Sequence, residues 1–121
     1  MIFLFTANEQ YKKMIDNLVD MTRNNVSSRW LLARAVNEDE NTFGINRLLA
    51  KLSDEECQLL ANYVESSYLD GVFTTLHQLE WLRSCEGLKM TTKAGPMPIG
   101  EYEGLPHDYI GRYNDWEWPD E

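Results

Sequence analysis

Apolar residues recur along this chain with the 3.6-residue period of amphipathic helices. Tyr11, Met14, Ile15, Leu18 and Val19 fall at i, i+3, i+4, i+7 and i+8, while Lys12, Lys13, Asp16, Asn17 and Asp20 lie elsewhere around the cylinder. Thr6-x-x-Glu9 just ahead of that stripe is a capping-box pattern, so a first helix is predicted over 7–23, ended near Asn24-Asn25. Ser27 and Ser28 can cap a second helix over 29–36, RWLLARAV, whose few polar positions predict a central place. The stretch NEDENT, 37–42, reads as an acidic loop. Ile45, Leu48, Leu49 and Leu52 resume the helical spacing as a third helix.

Ser53-Asp54-Glu55-Glu56 is the clearest local signal in the chain. Ser53 can accept from the Glu56 N–H while the Glu56 carboxylate reaches back to the Ser53 N–H, and three acids suit the positive end of the helix dipole. The fourth helix starts there, with Cys57, Leu60, Ala61, Val64 and Tyr68 inward. Asp70-Gly71 reads as a break. Val72, Phe73, Leu76, Leu79 and Leu82 then form a fifth helix ending around Cys85–Gly87. Beyond it the period fails. Gly87, Gly95, Gly100 and Gly104 are mixed with Pro96 and Pro98, which predicts an ordered loop with room for a short strand pair. Pro106 suits the first turn of a short helix, LPHDYIGRY, with Tyr109, Ile110 and Tyr113 inward. The fold expected is mainly α: one compact domain over 1–121, with five or six helices. Residues 1–87 would form a helical core and 88–121 a loop, a short helix and an acidic, Trp-rich tail.

Composition adds a partner class to that picture. The net charge is −9 over 121 residues, and the last 21 residues, with seven acids and one base, hold −6 of it. Such a field repels phosphate backbones, so nucleic-acid binding is not expected, and it steers a basic protein inward. The apolar run Met1–Phe5 is far shorter than a membrane span and has no basic flank or cleavage site, so it is expected to pack on the core of a cytoplasmic protein. Cys57 and Cys85 have no C-x-x-C spacing and are expected to be reduced.

Catalytic signals are sparse. His77 and Glu80 share a helical face, and His107 adjoins Asp108, but neither pair makes a dyad or a metal site by spacing alone. The sequence has no nucleophile elbow, no phosphate-cradling loop and no zinc pattern, so no cofactor or metal is expected. Arg23, Arg29 and Arg34 flank Trp30 and could hold an anion or the acidic tail. The tail itself, RYNDWEWPDE, is unusual for a chain end. Alternation along an extended segment would put Trp116 and Trp118 on one side and Asp115 and Glu117 on the other. Those four residues are the candidate binding site.

The run SDEE, the helical LLANYV, DGVFTTL and the close DYIGRYNDWEWPDE together resemble short bacterial proteins of unknown function, in which an Asp-Trp…Trp-Pro pattern ends a helical domain. The resemblance covers most of the chain, with its distinctive part in the last 14 residues; it implies a compact helical domain and brings no catalytic residues with it. Size and acidity are also similar to those of immunity proteins that neutralise basic nuclease toxins. Three functional expectations follow. The first is a non-catalytic protein that binds a basic partner through the acidic, Trp-bearing C-terminal region. The second is a small hydrolase-like enzyme using His77 or His107. The third is a homo-oligomer whose aromatic residues cover a self-interface.

Overall fold

In the computed structural model, which describes residues 5–121, the chain forms α1 (Ala7–Arg23), α2 (Val26–Ala33), α3 (Ile45–Leu49), α4 (Asp54–Cys85), β1 (Thr91–Thr92), β2 (Gly95–Pro96), a 3-10 turn (Ile99–Glu101) and α5 (Leu105–Tyr113). Residues 1–4 of the apolar run Met1–Phe5 lie outside the described residues. Phe5 itself is exposed, with the Lys13 ammonium 4.9 Å from its ring centroid. The protein is mainly helical, but the count of five or six helices is not matched. Among the described residues four helices reach eight residues, and α3 is a five-residue piece. The difference comes from Asp70-Gly71, which does not break the chain: the two helices predicted on either side of it are one 32-residue helix, α4. A glycine inside a helix costs only about 1 kcal/mol against alanine, and the flanking turns outweigh it.

Backbone contacts gather the chain into two compact units. Unit 1 runs to Asp20 and resumes over Gly71–Glu121, and unit 2 is Met21–Asp70.

Unit 2 begins at the end of α1. Asn25 caps α2, its Oδ1 accepting from the Ser28 N–H at 2.8 Å while its Nδ2 donates to the Thr22 carbonyl at 2.9 Å. The serines predicted to cap therefore lie inside the first turn, and buried Ser28 donates through Oγ to the Ala61 carbonyl at 2.9 Å. The helix begins and ends about three residues earlier than expected, closing at Arg34 in the left-handed region (φ 55°). The acidic loop is ordered by its own carboxylates. Glu38 accepts from the Gly44 and Asn46 N–H groups, which holds its carboxyl below the usual range, and the Asn46 carboxamide bonds both the N–H and the C=O of Val36. The capping box at the start of α4 is made in both directions, at 2.9 and 3.1 Å. Leu31, Leu49, Cys57 and Ala61 form the buried centre, with Val36, Ile45, Leu52 and Val64 around it. Leu60 and Tyr68, expected inward, are exposed. Both cysteines are free thiols, Cys57 buried and Cys85 exposed.

In unit 1 the α1 stripe turns inward as its spacing predicts: Tyr11, Ile15 and Val19 are buried, together with Leu76, Ile99, Leu105, Tyr109 and Trp118. The expected strand pair is a minimal antiparallel hairpin, Thr91 opposite Pro96 and Thr92 opposite Gly95. No described helix is long and apolar enough to cross a membrane.

Gly71 tests the continuity of α4. An added Cβ there meets nothing within 4 Å, so Gly71→Ala is expected to stabilise the protein by about 0.5–1 kcal/mol. Urea unfolding measures it. Destabilisation would mean a left-handed break at Asp70-Gly71.

Candidate functional site: the C-terminal clasp

The end of the chain is fastened to α1 within unit 1. Trp118 is 2% exposed, and its ring meets Tyr102, Trp116 and Tyr11 edge-on at centroid distances of 4.9, 5.4 and 6.0 Å. Edge-to-face contact sets the positive rim of one ring against the negative face of another. Tyr11 and Tyr102 lie nearly parallel at 6.1 Å. Two cations flank the same indole, the Lys12 ammonium at 5.7 Å and the Arg112 guanidinium at 5.6 Å from its centroid.

Polar contacts fix the approach to that indole. Arg112 on α5 pairs through Nε with Asp16 on α1 at 2.7 Å, and its Nη1 donates to the Trp116 carbonyl. The Trp116 N–H donates to the Gly111 carbonyl at 2.9 Å. Asp115 takes the left-handed conformation (φ 64°), so the backbone turns back after α5 rather than running extended. Trp118 Nε1 donates to Asp16 Oδ2 at 3.4 Å. At the very end Lys12 pairs with Asp120 at 2.7 Å and with Glu121 at 3.1 Å. The Tyr102 hydroxyl donates to Asp120 at 2.9 Å, and the Asn8 carboxamide lies 2.8 Å from that hydroxyl. Lys12 and Tyr102 together pull the Asp120 carboxyl down to about 2.

Beneath the clasp sits a buried polar pair. Asp108 and Tyr11 are both 0% exposed, and the Tyr11 hydroxyl donates to Asp108 Oδ2 in a short hydrogen bond. Asp108 Oδ1 accepts from the Glu103 N–H at 3.0 Å. Burial raises the Asp108 carboxyl, against the lowering effect of these two donors, and burial likewise raises the Tyr11 phenol. The chain enters α5 through Gly104 (φ 99°), where an added Cβ would stand 2.7 Å from Glu80 Oε1. The conformation favours glycine there, and any larger residue would also have to push the Glu80 carboxylate aside. Fully buried, the Tyr11–Asp108 pair links α5 to α1.

The four residues put forward as a binding site divide in two. Trp118 is an anchor. Asp115 and Glu117 are exposed and Trp116 is half-buried, its ring against Trp118 and near Gly111. Of the arginines suggested as docking partners, Arg34 donates to the Leu52 carbonyl at 2.8 Å and pairs with Asp54 at 3.1 Å, and Arg23 and Arg29 are exposed. The tail carboxylates Asp120 and Glu121 are held by Lys12, which sequence reasoning passed over with Asp16, Tyr102 and Arg112. Lys12 and Asp16 are four apart on α1, beside the Tyr11–Ile15 stripe, and that spacing was the available signal. His107 and Asp108 diverge, one exposed and the other buried toward Tyr11, so they form no dyad.

This helical chain with its C-terminal clasp belongs to a family of unknown function (DUF6547), matched over residues 6–120. No curated protein and no solved structure matches it.

Two predictions come from the clasp. Trp118→Ala removes a fully packed indole and is expected to cost about 3–5 kcal/mol, with Trp116→Ala costing clearly less; urea midpoints compare them. The second concerns acid. Asp120 is depressed in the folded state, so its stabilisation is present above the usual aspartate range and is lost as pH falls through about 2. Asp108 has the opposite sign: its carboxyl is raised by burial, so its contribution is full below the usual aspartate range and is lost as pH rises through its folded value. In stability-against-pH curves Asp120→Asn should flatten the acid-side fall, and Asp108→Asn the decline on the other side.

Proposed function

We propose that this protein is a non-catalytic binding module whose clasp presents an acidic, aromatic surface to a basic protein, in the manner of an immunity-type inhibitor. The supporting observation is the division of labour in the tail. Trp118 anchors the segment, while Asp115 and Glu117 remain exposed beside a half-buried Trp116. A rigid aromatic edge with a charged rim is the arrangement that favours hot-spot contacts and electrostatic steering. Charge supports the same reading. Residues 21–70 carry eight acids and five bases, and the rest of the chain twelve and six, so unit 1 bears −6 of the −9.

A second reading is favoured by a different surface. Unit 2 exposes ten large apolar side chains, among them Leu59 (70%) and Tyr63 (71%), four apart on α4, and Val26 and Trp30, four apart on α2. Where such side chains adjoin, as the i, i+4 pairs on α4 and α2 do, apolar surface marks interaction faces, and self-association would cover it.

The test uses the intact chain and an Asp115→Lys, Trp116→Ala, Glu117→Lys variant as baits for host lysate, both checked for folding by circular dichroism. A basic protein held by the intact chain, released by salt and lost from the variant is the expected result. Identical sets of retained proteins on both baits would refute the clasp as the binding surface. For the second reading, sedimentation should show a dimer or higher species that Leu59→Glu with Tyr63→Glu dissociates; a monomer throughout would exclude it.

A further inference from the structure

The two histidines of this chain lie thirty residues apart in sequence, on different helices, and the fold brings them side by side. His77 projects from α4 and His107 from α5, with ring centroids 6.0 Å apart and ring planes at 76°. Phe73, one turn before His77, stands edge-on to both, at 5.2 Å from His77 and 5.9 Å from His107. Both imidazoles are exposed to solvent, while Phe73 is partly buried.

We propose that His77 and His107 form a two-imidazole site for a borderline divalent cation of the zinc, copper(II) or nickel class. The reach is compatible: with metal–nitrogen bonds of about 2.1 Å, one ion shared by two imidazoles leaves their centroids about 5 Å apart at the tetrahedral angle and about 6 Å at a wider one, so the rings need move by no more than about 1 Å. Imidazole nitrogen suits these ions, whereas calcium and magnesium require oxygen ligands. Contact with Phe73 holds both rings before a metal arrives, which reduces the ordering cost of binding.

Nearby carboxylates do not complete the set. Glu80 is engaged by Arg83 at 2.8 and 3.1 Å, and Asp108 faces Tyr11. Among the described residues no group of three His, Cys, Asp or Glu side chains converges on one point. Water would therefore fill the remaining positions, and the site is open and of modest affinity. Because its two ligands come from α4 and α5, a bound ion ties those helices together and stiffens the base of the clasp. The site uses none of Asp115, Trp116 and Glu117, and either surface could function without the other.

Zinc chloride titrated calorimetrically into the full chain tests the site, in a Cys85→Ser background because that thiol is exposed. The expected result is one ion per chain, with His77→Ala and His107→Ala each weakening binding at least tenfold. Copper(II) electron paramagnetic resonance of the chain with both histidines intact should show two nitrogen ligands, a readout independent of whether either variant folds. Absence of binding, full affinity in either single variant, one ion shared between two chains, or a single nitrogen ligand would overturn the proposal.

Discussion

A carboxylate with no contact to solvent is the constraint around which unit 1 is arranged. Asp108 can be buried only if its oxygens are satisfied, and the Tyr11 hydroxyl and the Glu103 N–H satisfy them. Tyr11 is itself on the buried stripe of α1, so the pair fixes α5 against α1 in one register. Gly104 lets the chain enter α5 at a positive φ (99°) that residues with a Cβ rarely adopt. Once α5 is set, Arg112 reaches Asp16, the backbone turns back at Asp115, and Trp118 closes over Tyr11 and Tyr102. The tail is thus an outer layer over the buried Asp108 and the apolar side chains packed around it.

Chemistry at the surface separates from that architecture. Of the two tail tryptophans, one is consumed by packing and the other is left half-buried between acids. The histidines, which by sequence offered at most a weak catalytic signal, meet in space with a phenylalanine beside both. Neither feature defines a reaction. Each is proposed as a binding surface, one for a basic protein and one for a borderline metal ion.

Local signals were legible in the sequence and non-local ones were not. The α1 stripe and the Ser53–Glu56 box depend on residues within a few positions of one another, and both form as read. Asn25 took the cap assigned to Ser27 and Ser28, because a carboxamide can serve Ser28 N–H and the Thr22 carbonyl at once. The helix break at Gly71 was misjudged because a local preference of about 1 kcal/mol is easily overridden. Lys12 with Asp120, Asp16 with Arg112 and Tyr11 with Asp108 are each separated by roughly a hundred residues, a pairing that no periodicity encodes. Asp108 was hardest of all, since an aspartate near a helix start ordinarily reads as a solvated cap.

Hydrogen exchange followed by mass spectrometry tests the central claim most directly, comparing the full chain with one ending at Asn114. If the clasp and the Tyr11–Asp108 pair bind the tail, α5 and α1 into one cooperative layer, removing the last seven residues will lower the protection of Ala7–Asp20 together with that of Leu105–Tyr113, leaving Val26–Ala33 unchanged. Undiminished protection across α1 in the shortened chain would contradict the account and make the tail an appendage.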